Sequence, residues 1–201
     1  MSYIEGNPYA ALVNMGVCVV VIPSSSSIEA IKEDIIFTAE CVSADATAEA
    51  QKIVDDMQAQ IDEIAAIGST ITEKKTVMFE VSALPSIYSF GKGTFLDEMI
   101  TIVGAENVFG DQEGWIGVTE EDAVKANPDV ILTSAEYMGD PVAEILQRGG
   151  WENVTAIQNK AVYYVDNGAS SHPNHRIIEA LQEMAEYIYP DAYDIELDNA
   201  A

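Results

Sequence analysis

Three short segments of this sequence combine residue types that bind ligands in many proteins. The loop from Gly91 to Gly93 holds a lysine between two glycines and leads into an apparent helix. Backbone N–H groups at a helix N-terminus favour an anionic ligand group, and a nearby lysine adds to that preference. The second segment contains the two histidines, His172 and His175, and the third contains Trp115.

The Gly91 to Gly93 loop matches neither of the two glycine-rich nucleotide-binding motifs. In a P-loop, G-x-x-x-x-G-K-[ST], the first glycine and the final hydroxyl residue are both required, but Ser86 and Gly93 stand at those positions. In the dinucleotide fingerprint G-x-G-x-x-G, the third glycine lets helix and strand pack closely, and Leu96 stands there. We therefore interpret the loop as turn chemistry, with Lys92 as a candidate contact for an anionic group.

The two histidines do not form a recognisable metal or catalytic motif. Their spacing of three could bring both to one ion, but Pro173 lies between them and no cysteine or acid pattern completes a zinc site. They follow the strand-like run "AVYYVD" at its carboxyl end, where open α/β sheets bind ligands. No G-x-S-x-G or H-E-x-x-H motif occurs. We predict a ligand-contacting loop here, with no metal, no cofactor and no enzymatic activity.

Composition restricts the partners of the chain. Its 201 residues include 34 acids against 9 lysines and arginines, a formal net charge of -25. Such a chain repels nucleic acid and anionic lipid headgroups, so neither is expected as a partner. No run approaches the ~18 apolar residues that span a bilayer, and no signal-peptide pattern opens the chain. Cys18 and Cys41 are predicted to be buried thiols, with a disulfide as the open alternative.

The elements that must position these residues alternate between strand and helix. From Val77 onward, "TVMFEVS", "NVF", "DVILTS" and "AVYYVD" are strand-like, and helical segments separate them. This alternation predicts a parallel sheet with helices on both faces. A capping box is indicated by Thr94 and Asp97 at the start of one helix. Trp115 precedes another helix and is either a core residue or an exposed stacking platform.

The first third of the chain has a different pattern. The β-branched run Val17 to Ile22 predicts a strand buried on both faces, which needs neighbouring strands that the preceding sequence does not supply. A helix is predicted to begin after Ser27. A second helix is expected from about Ser43 to Ile67, roughly 35 Å long, with an apolar stripe. The stripe contains Ala46, Ala50, Ile53, Met57, Ile61 and Ile64.

Several segments occur in the order typical of one protein family. "GAENVF", "VTEEDAVKANPDVIL", "RGGWENVTAIQNKAVYYVD" and "IIEALQEMAEYIYP" resemble the C-terminal lobe of class III periplasmic-binding-protein-like solute-binding proteins, from about Val77 to Tyr189. These proteins serve ABC importers of ferric siderophores, haem and cobalamin. The resemblance implies a Rossmann-like α/β lobe, an extracytoplasmic location and an ABC permease as partner. An iron chelate is the expected ligand, and cobalamin is the alternative.

The resemblance also implies a division of the chain. Residues 1–42 correspond to a remnant of the N-terminal lobe, 43–70 to the long interlobe connector helix, 71–194 to the C-terminal lobe and 195–201 to a tail. Family members carry most of an N-terminal lobe and an export signal before this point. We therefore expect a truncated protein whose orphan strand, Val17 to Ile22, pairs with a second copy by dimerisation or strand exchange.

Individual roles follow from the resemblance position by position. Glu121 falls at a glutamate that docks onto arginines of the transporter, with Glu120 as an adjacent substitute. The residues implied in ligand binding are Tyr88, Lys92, Trp115, His172 and Arg176. A rival from another class is an α/β enzyme that holds a phosphorylated metabolite at Lys92 and the Thr94 amide.

Overall fold

The computed structural model of the chain describes residues 8–193. Its first part is helical, with α1 at Ala10–Asn14, α2 at Ile28–Glu40 and α3 at Ala44–Gly68. The side chain of Ser27 accepts a hydrogen bond from the N–H of Ala30, and that of Ser43 accepts one from Ala46. Each serine thereby satisfies an otherwise unpaired N–H of the first turn. Both predicted helices are confirmed, and the 25 residues of α3 span about 37 Å.

The second part alternates strands with helices, as the sequence predicts. The elements are β1 (Thr76–Glu80), β2 (Ile87–Phe90), α4 (Phe95–Ile102), β3 (Glu106–Asn107), β4 (Trp115–Val118), α5 (Glu120–Ala126), β5 (Val130–Thr133), α6 (Pro141–Leu146), α7 (Thr155–Gln158), β6 (Val162–Tyr164), α8 (Asn167–Ser170) and α9 (Ile177–Ile188). Thr94 caps α4 by accepting the N–H of Asp97. The Asp97 carboxylate, however, accepts from Asn107 at 2.8 Å, so only the threonine half of the expected capping box forms.

Four strands form one parallel sheet in the order β3-β1-β5-β6. Successive residues of β1 enter different cores because side chains alternate across a strand. Val77 and Phe79 pack with α3, α4 and α9, whereas Met78 packs with residues of α5, α6 and α7. Helices therefore cover both faces of a Rossmann-like α/β lobe, and the predicted fold class is confirmed.

A two-stranded antiparallel sheet, formed by β2 and β4, was not predicted from the sequence. Its register pairs Tyr88 with Gly117 and Phe90 with Trp115. Ile87 and Ile116 pack into the core on one face of the pair. Each strand has four residues, too few for an alternating pattern to stand out. The pair lies after β1 and extends the lobe beyond the parallel sheet.

Two predictions about the N-terminal segment are wrong. The run from Val17 to Ile22 has no strand structure, and Val17 and Val21 are 47% and 64% exposed. A β-branched run becomes a strand only where another strand accepts its hydrogen bonds, and the described residues place none beside it. The thiols of Cys18 and Cys41, expected to be buried, are exposed and unpaired with each other.

Helices α2 and α3 pack onto the lobe. Ile28 and Ile31 of α2 belong to the same core as α4 and α9, and the N–H of Ile28 donates to Glu98 at 2.8 Å. The apolar stripe of α3 is buried at Met57, Ile61 and Ile64, but Ile53, expected within it, is 42% exposed. The division at residues 42 and 70 stays a prediction, and the predicted tail at 195–201 lies outside the described residues.

Within residues 8–193, no helix is both long enough and apolar enough to cross a membrane.

Candidate functional site

Exposed aromatic side chains lie together beyond the carboxyl end of the parallel sheet. Tyr88 is 51% exposed and Trp115 is 54% exposed. Residues paired across antiparallel strands share a face, as do residues two apart, so both rings lie on the outer face of the β2–β4 pair. The Trp115 ring meets buried Phe90 edge-on at a centroid distance of 5.9 Å. Gly117, opposite Tyr88, leaves open space there.

Tyr137 is a third member of this surface and was missed from the sequence. It lies in the loop after β5 and is 64% exposed. Its hydroxyl accepts a hydrogen bond from the N–H of Ala83 at 2.8 Å and lies 3.2 Å from the Ser82 hydroxyl. The backbone carbonyl of Ser82 in turn accepts a hydrogen bond from the N–H of Tyr88 at 3.0 Å. We call Tyr88, Trp115 and Tyr137 the aromatic wall.

The sequence did contain a signal for Tyr137. The carboxyl ends of parallel strands are where ligands bind in open α/β sheets, and Tyr137 follows the last residue of β5, Thr133, by four positions. Its exposure could not be read from the sequence, because tyrosine is intermediate between the buried and the exposed residue types.

The glycine-lysine-glycine loop is built for close backbone approach. The N–H of Gly91 donates to Gly114 at 2.8 Å and that of Lys92 to Gln112 at 2.9 Å. A Cβ at Gly91 would lie 2.3 Å from the carbonyl oxygen of Gln112, which explains the glycine. These two N–H groups are thus occupied and cannot cradle a phosphate. The Lys92 ammonium projects outward and lies 3.6 Å from the Glu113 carboxylate.

The two predicted ligand contacts in the loop after β6, His172 and Arg176, differ in whether they are already bound to other side chains. The Arg176 guanidinium donates to Glu179 at 2.6 Å and to Asp166 at 3.2 Å. Its hydrogen bonds with Glu179, followed by the Glu179 and Asp166 charges, raise the pKa of Arg176 above its ordinary value. His172 is exposed, while His175 borders a groove with α3 residues Asp56 and Gln60.

A metal site is not indicated by the side chains around this loop. Among residues 8–193, no group of three or more histidine, cysteine or acidic side chains is arranged to hold an ion. The loop itself is tied to the same sheet edge as the aromatic wall, because the Asn167 amide donates to the Ser134 carbonyl at 2.7 Å.

A second surface lies at the start of α5. Thr119 caps this helix through the N–H of Asp122, which places Glu120 and Glu121 in its first turn. The α5 groove, of about 440 Å³, is lined by Glu120, Glu121, Val124, Lys125, Gly149, Gly150 and Trp151. Glu120 accepts a hydrogen bond from the Trp151 indole at 3.3 Å. Glu121 is exposed, and its carboxylate makes no hydrogen bond or ion pair with the described part of the chain.

A buried ionic cluster connects the end of β1 to the α5 groove. Arg148 donates two hydrogen bonds, of 2.6 and 2.8 Å, to Glu80 at the end of β1. It also donates to Glu144, and its guanidinium lies 4.9 Å from the Trp151 ring centroid. Burial raises the pKa of Glu80, and the hydrogen bonds from Arg148 oppose this rise. This cluster was not predicted from the sequence, because Glu80 lies 68 positions from Arg148 and reaches it only through folding.

Comparison with known proteins places this architecture in a family. A family model described as periplasmic binding protein matches residues 12–169. The ABC transporter substrate-binding lipoprotein YvrC of Bacillus subtilis, itself uncharacterized, is 34% identical over 184 residues, covering 90% of this chain and 57% of YvrC. The chain thus spans somewhat more than half the length of this relative.

Solved structures share the fold. A possible iron-binding, periplasmic solute-binding protein from Staphylococcus epidermidis is 30% identical, with a TM-score of 0.78 over 90% of this chain and 69% of its own. The periplasmic heme-binding protein RhuT from Roseiflexus sp. RS-1 is 21% identical, with a TM-score of 0.78 over 93% and 73%; this similarity concerns the fold alone. The family is one of binding proteins, which agrees with the prediction of no enzymatic activity. By its sequence match and its fold, the chain belongs to the periplasmic binding protein family.

Proposed function

We propose that this chain is part of the extracytoplasmic solute-binding component of an ABC importer, and that its ligand is a metal chelate: a ferric siderophore or haem, with cobalamin as the alternative. Membership of the periplasmic binding protein family supports the general role. The observation that carries the ligand proposal is the exposed aromatic wall at the carboxyl end of the sheet. Large flat or apolar ligands stack on such rings, whereas small hydrated ions do not need them.

The proposed ligand surface combines predicted and newly found residues. Tyr88 and Trp115 supply stacking area, and Gly117 leaves room beside them. Lys92 and His172 project at the same end of the lobe and remain candidate contacts. Binding needs no covalent chemistry, because the ligand is only held and released. The chain would supply one side of the binding site, in keeping with the 57% of YvrC that it spans.

The proposed partner is an ABC permease, and the proposed contact is the α5 groove. An exposed carboxylate beside a shallow depression suits the guanidinium of an arginine, which binds carboxylates through two parallel hydrogen bonds. Glu121 is the better candidate of the predicted pair, because Glu120 already accepts a hydrogen bond from Trp151. Periplasmic and lipoprotein relatives support an extracytoplasmic location.

The enzyme alternative has less support. It places a phosphate at Lys92 and the Thr94 amide, but the neighbouring amides of Gly91 and Lys92 already donate to carbonyl groups and cannot add to such a site. The adjacent helix α4 also carries two acids, Asp97 and Glu98, in its first turn. A phosphate would be repelled by both carboxylates.

Tryptophan fluorescence tests the proposal, because the only two tryptophans have opposite environments: Trp115 is 54% exposed and Trp151 is 1% exposed. We expect haemin, cyanocobalamin or a ferric siderophore to quench the Trp115 emission in a saturable manner. The Trp115→Phe variant should lose that signal and bind about tenfold more weakly by calorimetry.

The matched control is Trp151→Phe, which removes the buried tryptophan and should retain the quenching. ATP serves as the competing probe for the enzyme alternative. Saturable binding of ATP, or chelate binding that Trp115→Phe leaves unchanged, would contradict the proposal.

A further inference from the structure

We infer that the aromatic wall selects neutral or cationic chelates over anionic ones, and that Tyr137 is a specificity-determining contact in that selection. The inference rests on the proposed function and narrows its ligand class. It starts from the charges that surround the wall. A trianionic chelate needs an uncompensated cation beside it, while a neutral chelate needs only ring area.

The lysine and the arginine at this end of the lobe each already lie beside a carboxylate. Lys92 lies 3.6 Å from Glu113. Arg176 is held more firmly, between Glu179 at 2.6 Å and Asp166 at 3.2 Å. An anionic ligand would have to displace these carboxylates or approach them closely, and both events cost free energy.

Acids outnumber bases in the four segments that form this end. Residues 81–93, 111–118, 134–140 and 165–176 contain two lysine or arginine residues and five acids. The acids are Asp111, Glu113, Glu136, Asp140 and Asp166. Glu136 is exposed directly beside Tyr137. The local charge therefore has the same sign as the net charge of -25 and repels an approaching anion.

Tyr137 has the geometry of a fixed recognition element. Its hydroxyl is held by the Ala83 N–H and by Ser82, yet 64% of the residue is exposed. A ring anchored at its polar end presents its apolar face without a large loss of side-chain entropy on binding. Aromatic faces attract cations and apolar surfaces, and they offer nothing to an anion.

The experiment compares two ferric complexes that differ mainly in charge: a neutral trihydroxamate and a trianionic triscatecholate. With the whole chain in low salt, we expect calorimetry to give at least about tenfold tighter binding of the trihydroxamate. Raising the ionic strength should narrow the ratio, because salt screens the repulsion.

Glu113→Gln tests the charge argument directly. This substitution releases Lys92 and removes one acid, so affinity for the triscatecholate should rise about threefold to tenfold while that for the trihydroxamate stays within twofold. Glu106→Gln is the matched control. It also breaks an exposed lysine–glutamate pair, with Lys74 at 3.8 Å, but β3 lies outside the four wall segments, so little change is expected.

Tyr137→Ala should weaken trihydroxamate binding about tenfold. Tyr137→Phe keeps the ring but loses the hydroxyl that holds it, so its affinity for the trihydroxamate should lie between those of Tyr137→Ala and the unaltered chain. Phe37→Ala removes an exposed aromatic residue on α2 and should have no effect. Tighter binding of the triscatecholate, or an unchanged affinity in Tyr137→Ala, would overturn the inference and leave the proposed function standing. Failure of every chelate to bind would overturn both.

Discussion

At the residue scale, the two tryptophans lie in opposite environments. Trp115 and Trp151 both follow a glycine, yet one is half exposed and the other fully buried. The sequence identified Tyr88, Lys92, Trp115 and Arg176 as candidates through their positions. It could not show that Glu113 lies beside Lys92 or that Asp166 lies beside Arg176, because these residues meet through three-dimensional packing.

Tyr193 gives a residue-scale prediction about alkaline stability. It is 1% exposed, and its hydroxyl lies 3.0 Å from the Val103 carbonyl and 3.2 Å from that of Ile64. Burial raises the pKa of Tyr193 from 10.0 to about 12. The folded state therefore holds this proton more tightly than the unfolded state does. The contribution of this proton to the free energy of unfolding is fully present below pH 10. It is lost as the pH rises from about 10 to 12, and the total loss is about 2–3 kcal/mol.

Urea denaturation at a series of pH values measures this loss. Tyr193→Phe should be about 1–2 kcal/mol less stable at pH 8, because it lacks the hydroxyl, and should lose less stability above pH 10. Tyr88→Phe, at an exposed position, is the control and should follow the unaltered chain. Parallel alkaline profiles for Tyr193→Phe and the unaltered chain would refute the assignment.

At the element scale, long helices with a capping residue could be predicted from the sequence, whereas very short strands could not. Helices α2 and α3 were located from Ser27, Ser43 and apolar periodicity, all of which are local signals. The strands of the parallel sheet were predicted as short apolar runs that alternate with helical segments. Strands β2 and β4 were missed, since four residues carry little periodicity and the paired residues are 25 to 31 positions apart in the chain.

The end of α3 gives an element-scale prediction. A Cβ at Gly68 would lie 2.2 Å from the Ile102 carbonyl and 3.0 Å from the Gly104 N. This close backbone approach docks the long helix onto the turn that follows α4. Gly68→Ala should therefore force the two elements apart and cost about 1–3 kcal/mol in the free energy of unfolding.

Gly149→Ala is the matched control for that measurement. A Cβ at Gly149 meets nothing within 4 Å, so its effect should stay within about 0.5 kcal/mol. Thermal or urea unfolding of both variants makes the comparison. Equal stability of Gly68→Ala and the unaltered chain would show that the contact between α3 and the α4 turn is looser than described.

At the scale of the whole molecule, the sequence indicated the α/β architecture correctly and the state of the N-terminal segment incorrectly. Val17 to Ile22 has the composition of a central strand, but composition cannot supply its neighbours. The run instead lies exposed on a molecule whose other apolar runs are largely buried. An exposed apolar run with unpaired backbone groups is a site for pairing with another chain.

Self-association through Val17 to Ile22 is the prediction at this scale. We expect sedimentation velocity to show a dimer that increases with protein concentration and with salt, because salt screens the repulsion between two chains of charge -25. Val21→Asp should reduce the dimer. Val42→Asp, at another exposed valine (75%) outside the run, should not. A sharply monomeric species under all these conditions would exclude the association.

The β2–β4 pair has a consequence for how such proteins diverge. Its inner face, with Ile87 and Ile116, belongs to the core. Its outer face contributes buried Phe90 to the core as well, but the other outer-face positions, Tyr88, Gly117 and Trp115, are exposed. Mutations at these three exposed positions can therefore accumulate at small cost in stability. A lineage could exchange one cargo for another through these few positions while the scaffold beneath them remains under unchanged selection.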